Sequence, residues 1–271
     1  MFFHKKKKIL VIIFVCAAVA VVLYTYVTKD DLTVIDSYPI PDSLHEISGI
    51  VSVGGTLVAA IEDETGTIYR YDLVKRALID KIPFGPPGDY EDVAFADGVY
   101  YVLRSDGTLF ISGNGTTTTL HLGIREKQSE GLTYDPLTKR LLIAAKTKST
   151  LGKDFKDERF IYAFDLLNRK LEQTPIFALN TKDLEKHLQR SVKFRPSALA
   201  INPQTHILYV ASGVDSSMAL FDQNGRVLRV FEHDKKVFNQ PEGITFLPGG
   251  DALISNEGGV GKPTLLRVVF K

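Results

Sequence analysis

Three glutamates, Glu91, Glu130 and Glu242, stand at the same place in a short repeated motif, and its two other copies carry Ser48 and Ser197 there. In each copy a polar residue precedes a residue that is usually small, and an aliphatic one follows: Ser48-Gly49-Ile50, Glu91-Asp92-Val93, Glu130-Gly131-Leu132, Ser197-Ala198-Leu199 and Glu242-Gly243-Ile244. Two residues upstream, on the same face by strand alternation, are Glu46, Asp89, Gln128, Arg195 and Gln240. Carboxylates gathered at one place repel each other, so they must raise their pKa values, meet cationic side chains or hold a cation. An oxygen-rich set with no thiolate and no histidine cluster suits a hard ion; Ca²⁺ takes about six to eight oxygens and tolerates irregular geometry better than Mg²⁺. The expected metal ligands are therefore Glu91, Glu130, Glu242, Ser48, Ser197, Glu46 and Asp89. The alternative is an ion-pair network in which Arg195, Arg104 or Lys146 neutralises the glutamates and only holds the scaffold together.

Positioning such a ring is the work of a repeat. The copies recur roughly every 40–50 residues, with one longer gap between the third and the fourth, a period that fits four-stranded propeller blades. The fourth copy shows the unit best: SALAINP, HILYVAS, SMALFDQ and RVLRVFE read as four strands separated by turns. The long gap holds the charged loop Lys146–Arg159 and the stretch Thr181–Phe194, where a capping-type Thr181 and apolar Leu184 and Leu188 predict a short inserted helix. The fifth copy is one strand short, whereas Leu32–Tyr38 precedes the first copy without a blade of its own. The fold class that follows is an all-β five-bladed propeller over residues 30–271, with the N-terminal strand closing the last blade so that no sheet edge is left open. The first strand of each blade lines the central channel, which directs the five polar residues toward the axis at one mouth.

Residues 1–29 read differently. Lys5–Lys8 form a basic cluster before the uncharged run Ile9–Val27, which at about 1.5 Å per residue just spans a hydrocarbon core. Ala18-Val19-Ala20 offers a small-residue cleavage site, but apolar residues continue to Val27, which favours an uncleaved anchor; Val15 before Cys16 fits a lipoprotein signal poorly. The lysines ahead of the span place a short cytoplasmic tip inside and the propeller on the extracytoplasmic, periplasmic side of the cell membrane.

The motif copies ISGI, YEDVAF, SEGLTYD, PSALAIN and PEGITF, in that order, together with the N-terminal apolar segment, resemble the SdiA-regulated, YjiK-like family of bacterial proteins. The resemblance covers essentially the whole chain after the anchor. It implies a five-bladed propeller distantly related to NHL-repeat proteins, with a calcium ion and no established biochemical activity.

The totals exclude more than they assign. The 271 residues are 44% hydrophobic and 24% charged, ordinary for a globular chain, and 33 Lys+Arg against 32 Asp+Glu give no bulk reason to expect nucleic acid. Cys16 is the only cysteine, so the propeller holds neither a disulfide nor a thiolate metal site, and the lack of Trp argues against a sugar-stacking platform. Gly258-Gly259-Val260-Gly261-Lys262 imitates a phosphate loop, yet Pro263 takes the required Ser/Thr position. Asn114-Gly115 is better read as a hairpin turn than as a glycosylation site. Tyr69, Tyr71, Tyr100, Tyr101, Tyr162 and Tyr209 read as packing residues. The function expected is a calcium-binding module that recognises a ligand or partner; the rival is a calcium-dependent hydrolase of small esters or lactones, for which His45 and His121 are the histidines nearest the ring.

Overall fold

The structure, a computed structural model, describes residues 32–126, 128–147 and 155–270. The expected basic tip and membrane anchor lie outside the described residues, and among the described residues no helix is long and apolar enough to cross a membrane.

The first strand, β1 (Leu32–Pro39), stands apart from the first blade, which consists of β2 (Ile47–Gly54), β3 (Leu57–Glu62), β4 (Thr67–Asp72) and β5 (Ala77–Pro83). Blade two is β6 (Tyr90–Ala96), β7 (Val99–Arg104), β8 (Thr108–Gly113) and β9 (Thr116–His121). Blade three is β10 (Ser129–Asp135), β11 (Arg140–Ala145) and β12 (Glu158–Asp165), with its outer position shared by β13 (Lys170–Leu171) and β14 (Phe177–Asn180), both paired to β12. Blade four is β15 (Ala198–Ile201), β16 (Leu208–Ser212), β17 (Ser217–Phe221) and β18 (Val227–Glu232). Blade five is β19 (Pro241–Phe246), β20 (Ala252–Asn256) and β21 (Thr264–Phe270), and β1 completes it as the outermost strand in the order β1-β21-β20-β19. The strand missing from the last motif copy is thus supplied by the start of the chain.

Val34–Val269 form one compact unit. The innermost strands β2, β6, β10, β15 and β19 pack against each other in that order, and β19 returns to β2. Apolar clusters fill the spaces between blades. Ile61, Tyr90, Tyr100 and Phe110 join blades one and two, while Leu103, Leu141, Tyr162 and Phe164 join two and three. Tyr69, Tyr71, Tyr100, Tyr162 and Tyr209 are all buried, and Tyr101 packs part-buried against the second of these clusters, as their packing role requires. Asn114 and Gly115, at φ 51° and 75°, make the tight turn of the β8–β9 hairpin, a left-handed pair that Asn-Gly tolerates best.

The inserted helix α1 covers Thr181–Leu188, shorter than the sequence pattern predicts. Its cap is Asn180, whose side chain accepts the Lys182 N–H at 3.0 Å; Thr181 turns its hydroxyl to the Asp157 carbonyl instead. Gln189 ends the helix in a left-handed conformation (φ 55°).

Candidate functional site

Pairing between first and second strands breaks register at one recurrent point, besides a further shift between Ser52 and Gly54 in blade one. The register shifts between Ile47 and Gly49, Tyr90 and Asp92, Ser129 and Gly131, and Pro241 and Gly243, so Ser48, Glu91, Glu130 and Glu242 are each the extra residue of a β-bulge. A bulge leaves one residue unpaired and re-aims its side chain. Here it does so four times at the same channel mouth. In blade four Ser197 precedes β15, and its hydroxyl is committed to backbone: it donates to the Pro241 carbonyl at 3.2 Å and accepts the Gly213 N–H at 3.3 Å.

The ring divides by depth. Ser48, Glu130 and Ser197 are buried, Glu91 and Glu242 are half-buried, and Glu46 and Asp89 form an exposed rim above them. A second set comes from the residue just past the second strand in four blades; of it, Lys146 is expected from the sequence as a neutralising cation, whereas Asp63 and Glu257 are missed there. The N–H groups of Asp63, Ser105, Lys146 and Glu257 donate to the carbonyls of Glu46, Asp89, Gln128 and Gln240 at 3.2, 2.9, 3.0 and 3.2 Å. That repeated bond fixes Asp63, Lys146 and Glu257 at the mouth. Aligning the copies through the ends of their second strands reveals this set.

Electrostatics follow from the crowding. Burial, then Asp89 and, more weakly, Glu242 and Asp63, push the Glu91 carboxyl up to about 8 against the pull of Lys146. Burial and Glu257 push Glu242 up to about 7, again opposed by Lys146. Burial, then Glu46, Glu62, Glu64 and Asp89, push Asp63 up to about 6. Glu257 is raised by burial and by Glu46 and Asp63, with His45 and Lys146 opposing. Lys146 itself ion-pairs with Glu130, the most buried of the three ring glutamates. Of the expected neutralising cations, Lys146 takes that role. Arg104 instead pairs with Asp106 at 2.8 Å and lies over the Phe110 ring, and Arg195 lines a separate basic cavity.

Below the mouth one side chain breaks a run of small residues. The residue after the ring position is Gly49, Gly131, Ala198 or Gly243 in four copies, and Asp92 in the other. Asp92 is fully enclosed; one carboxylate oxygen accepts its neighbour Val93 N–H at 2.8 Å and the other accepts Leu132 N–H at 2.7 Å. Burial drives its pKa well up while these N–H groups pull the other way. A Cβ placed on Gly49 would lie 2.7 Å from Asp92, which is why the neighbouring blade carries glycine there. The far end of the channel is a small cavity of about 170 Å³ lined by Val51, Phe95, Tyr134, Ile201 and Phe246 among others.

The two histidines singled out by sequence are placed differently. His121 ends the outermost strand β9, where Nδ1 lies 3.4 Å from Thr108 Oγ1; His45 lies at the rim with Nε2 3.3 Å from the Gly259 carbonyl. The fit to a cation is mixed in an informative way. Ser48 Oγ and Asp63 Oδ1 are buried oxygens with no hydrogen-bond partner among the described residues, and the donors are of the hard-oxygen kind that calcium takes. Yet among the described residues no three of His, Cys, Asp and Glu are gathered closely enough to hold a metal ion.

No family model matches the chain, and no curated protein matches it. The fold does match solved structures. Glutaminyl cyclase from Myxococcus xanthus superposes with a TM-score of 0.64 at 16% identity, covering 89% of this chain and 96% of that one. A chain of the nidogen/laminin complex gives 0.52 at 14% identity (78% and 72% covered), and a luciferin-regenerating enzyme gives 0.51 at 13% (86% and 95%). At such identities the likeness establishes the five-bladed propeller alone.

Proposed function

We propose that the protein is a ligand-binding propeller whose channel mouth takes a hard cation, calcium foremost, and that it does so as a membrane-anchored extracytoplasmic module of the SdiA-regulated, YjiK-like kind. One observation carries the reading. Glu91 and Glu242 occupy equivalent bulge positions at the mouth, where burial pushes their carboxyls up to about 8 and about 7; Asp89 and Asp63 press further on Glu91, and Glu257 on Glu242. Such a cluster is short of positive charge, and a bound divalent ion relieves it better than protons do.

Ser48, Glu91, Glu130 and Glu242 are the residues that would hold the ion, with Glu46 and Asp89 at the rim; the ion would supply a fixed double charge to which an anionic or carbonyl group of a ligand can bind. Lys146 is the competitor, since its ammonium already occupies Glu130. Calcium and Lys146 are therefore alternatives at one carboxylate. The motif order and the uncharged run Ile9–Val27 support the family and membrane parts of the reading. For the rival hydrolase reading, His121 is set aside by its place on the outer strand, which leaves His45 at the rim and the raised ring carboxyls as its bases. Calorimetric titration of calcium into wild type and Lys146→Met tests the proposal: binding that strengthens in the variant supports it, and no binding to either protein rejects it.

A further inference from the structure

Beside the acidic mouth lies a cavity of about 800 Å³ with the opposite charge. Its lining includes Lys146, Lys156, Arg159, Lys182, Lys193 and Arg195, contributed by the start of β12, by α1 and by the segment leading into β15. Two carboxylates also line it, and both are engaged. Asp157 pairs with Lys182 at 3.1 Å, and Glu185 accepts the Ser191 hydroxyl and the Val192 N–H at 2.9 and 3.1 Å.

Arg159 is the anomaly. Its side chain is enclosed, the residue being 5% exposed, and its one hydrogen bond among the described residues runs from Nη1 to its neighbour's carbonyl, Glu158, at 2.9 Å. Nε has no partner, and no carboxylate stands within ion-pair distance among the described residues. Burial and then the like charge of Arg195 work against its protonated form, and Asp157, already paired with Lys182, offsets this only in part, since the net shift is downward. A buried guanidinium with no carboxylate in direct contact is strongly unfavourable, and a second arginine beside it makes the arrangement worse. An anion relieves both at once, and the planar fork of arginine matches the two oxygens of a carboxylate or phosphate.

We propose that this cavity is an oxyanion site, in which Arg159 and Arg195 hold a phosphate or carboxylate group of a small-molecule ligand while Lys156 and Lys193 supply flanking charge. It is separate from the cation site, shares with it only Lys146, and stands or falls independently of calcium. The mouth then presents an acidic half, from blades one, two and five, next to a basic half from blades three and four.

The test is calorimetry on the purified full-length chain at low ionic strength, with inorganic phosphate in one arm and succinate in the other. The expected result is saturable binding of at least one anion, weakened roughly tenfold or more by Arg159→Gln, a loss of the size expected for charge-assisted hydrogen bonds, and by a smaller factor in Arg195→Gln. Arg226→Gln, in the exposed turn before β18, leaves it unchanged. Binding of phosphate alone assigns a phosphoryl ligand, and binding of succinate alone a carboxylate. Should Arg159→Gln fail to fold, the exposed Arg195 carries the comparison. The proposal is overturned if neither anion binds the wild type, or if affinity is the same in wild type and the folded arginine variants.

Discussion

The Asp92 carboxylate accepts the backbone N–H of Leu132 at 2.7 Å, so a side chain of the second blade closes a main-chain hydrogen bond in the third. The motif has glycine or alanine at this position in its other four copies, and at Gly49 the reason is Asp92 itself, whose Cα a Cβ would meet at 2.7 Å. Asp92→Asn keeps the shape but directs an amide toward groups that are themselves donors. With a buried N–H left unsatisfied, stability falls by about 2 kcal/mol, read as a lower urea midpoint. An unchanged midpoint contradicts this role for Asp92.

Lys146 is predicted to hold the mouth together without metal. Lys146→Met leaves Glu130 buried and unpaired, and removes the positive charge that acts on Glu91, Glu242 and Glu257. Breaking a fully buried pair is more damaging than this; the Lys146 side chain is 29% exposed, which screens part of the loss, so about 2 kcal/mol is expected in calcium-free buffer. Double substitution with Glu130→Gln recovers most of it, and failure of that recovery rules out the pair as the cause.

The raised carboxyls set an unusual pH dependence. Each holds its proton more tightly folded than unfolded, so its contribution to stability is complete below the unfolded value of 4.5 and is lost as pH rises through the folded value, about 7 for Glu242 and about 8 for Glu91. His233 acts in the opposite sense below its ordinary 6.5, since burial and Lys235 lower it to about 4. The carboxyls therefore dominate between about pH 6.5 and about pH 8.5, where the urea midpoint of the metal-free protein should decline. Glu91→Gln/Glu242→Gln flattens that slope; a slope unaltered by the double substitution refutes the assignment.

Closure through β1 is tested by removing residues 32–40. Tyr38 packs edge-on against Tyr71 at 6.5 Å, Arg76 lies 4.7 Å over the Tyr38 ring and pairs with Asp36, and the Tyr71 hydroxyl donates to the Pro39 carbonyl. The strand thus ties blade five to blade one. The truncated chain is expected to lose its cooperative unfolding transition, whereas a well-folded truncation would mean the ring closes without it.

Much of this was legible before any coordinates. The repeated polar-small-aliphatic triplet predicts five blades and the channel position of Ser48, Glu91, Glu130, Ser197 and Glu242, because inner strands share one pattern. It also predicts which strand completes blade five. What a triplet cannot show is the bulge at four of those positions, since register depends on the partner strand. Nor does it reveal Asp63 and Glu257 as members of the mouth, because they follow second strands whose ends the motif does not mark; Lys146, in the same place, is legible only as a candidate neutralising cation. Asp92 was visible as the exception among small residues, but its meaning rests on N–H groups from other blades. Arg159 was hidden for a different reason: its isolation depends on where Asp157 and Glu185 turn, which is a matter of tertiary placement.

In the proposed reading the acidic mouth is a cation site held in reserve by Lys146 and by protons. Calcium titrated calorimetrically into the full-length chain at about pH 6 and about pH 8 tests it most directly, because an ion that displaces protons from Glu91 and Glu242 binds more tightly as pH rises through their pKa values. The account predicts saturable binding that strengthens from the lower pH to the higher, strengthens again in Lys146→Met, and disappears in Glu91→Gln/Glu242→Gln. No heat of binding at either pH in wild type and Lys146→Met, with no calcium-dependent rise in melting temperature, contradicts it and leaves the Lys146–Glu130 ion pair as the whole purpose of the ring.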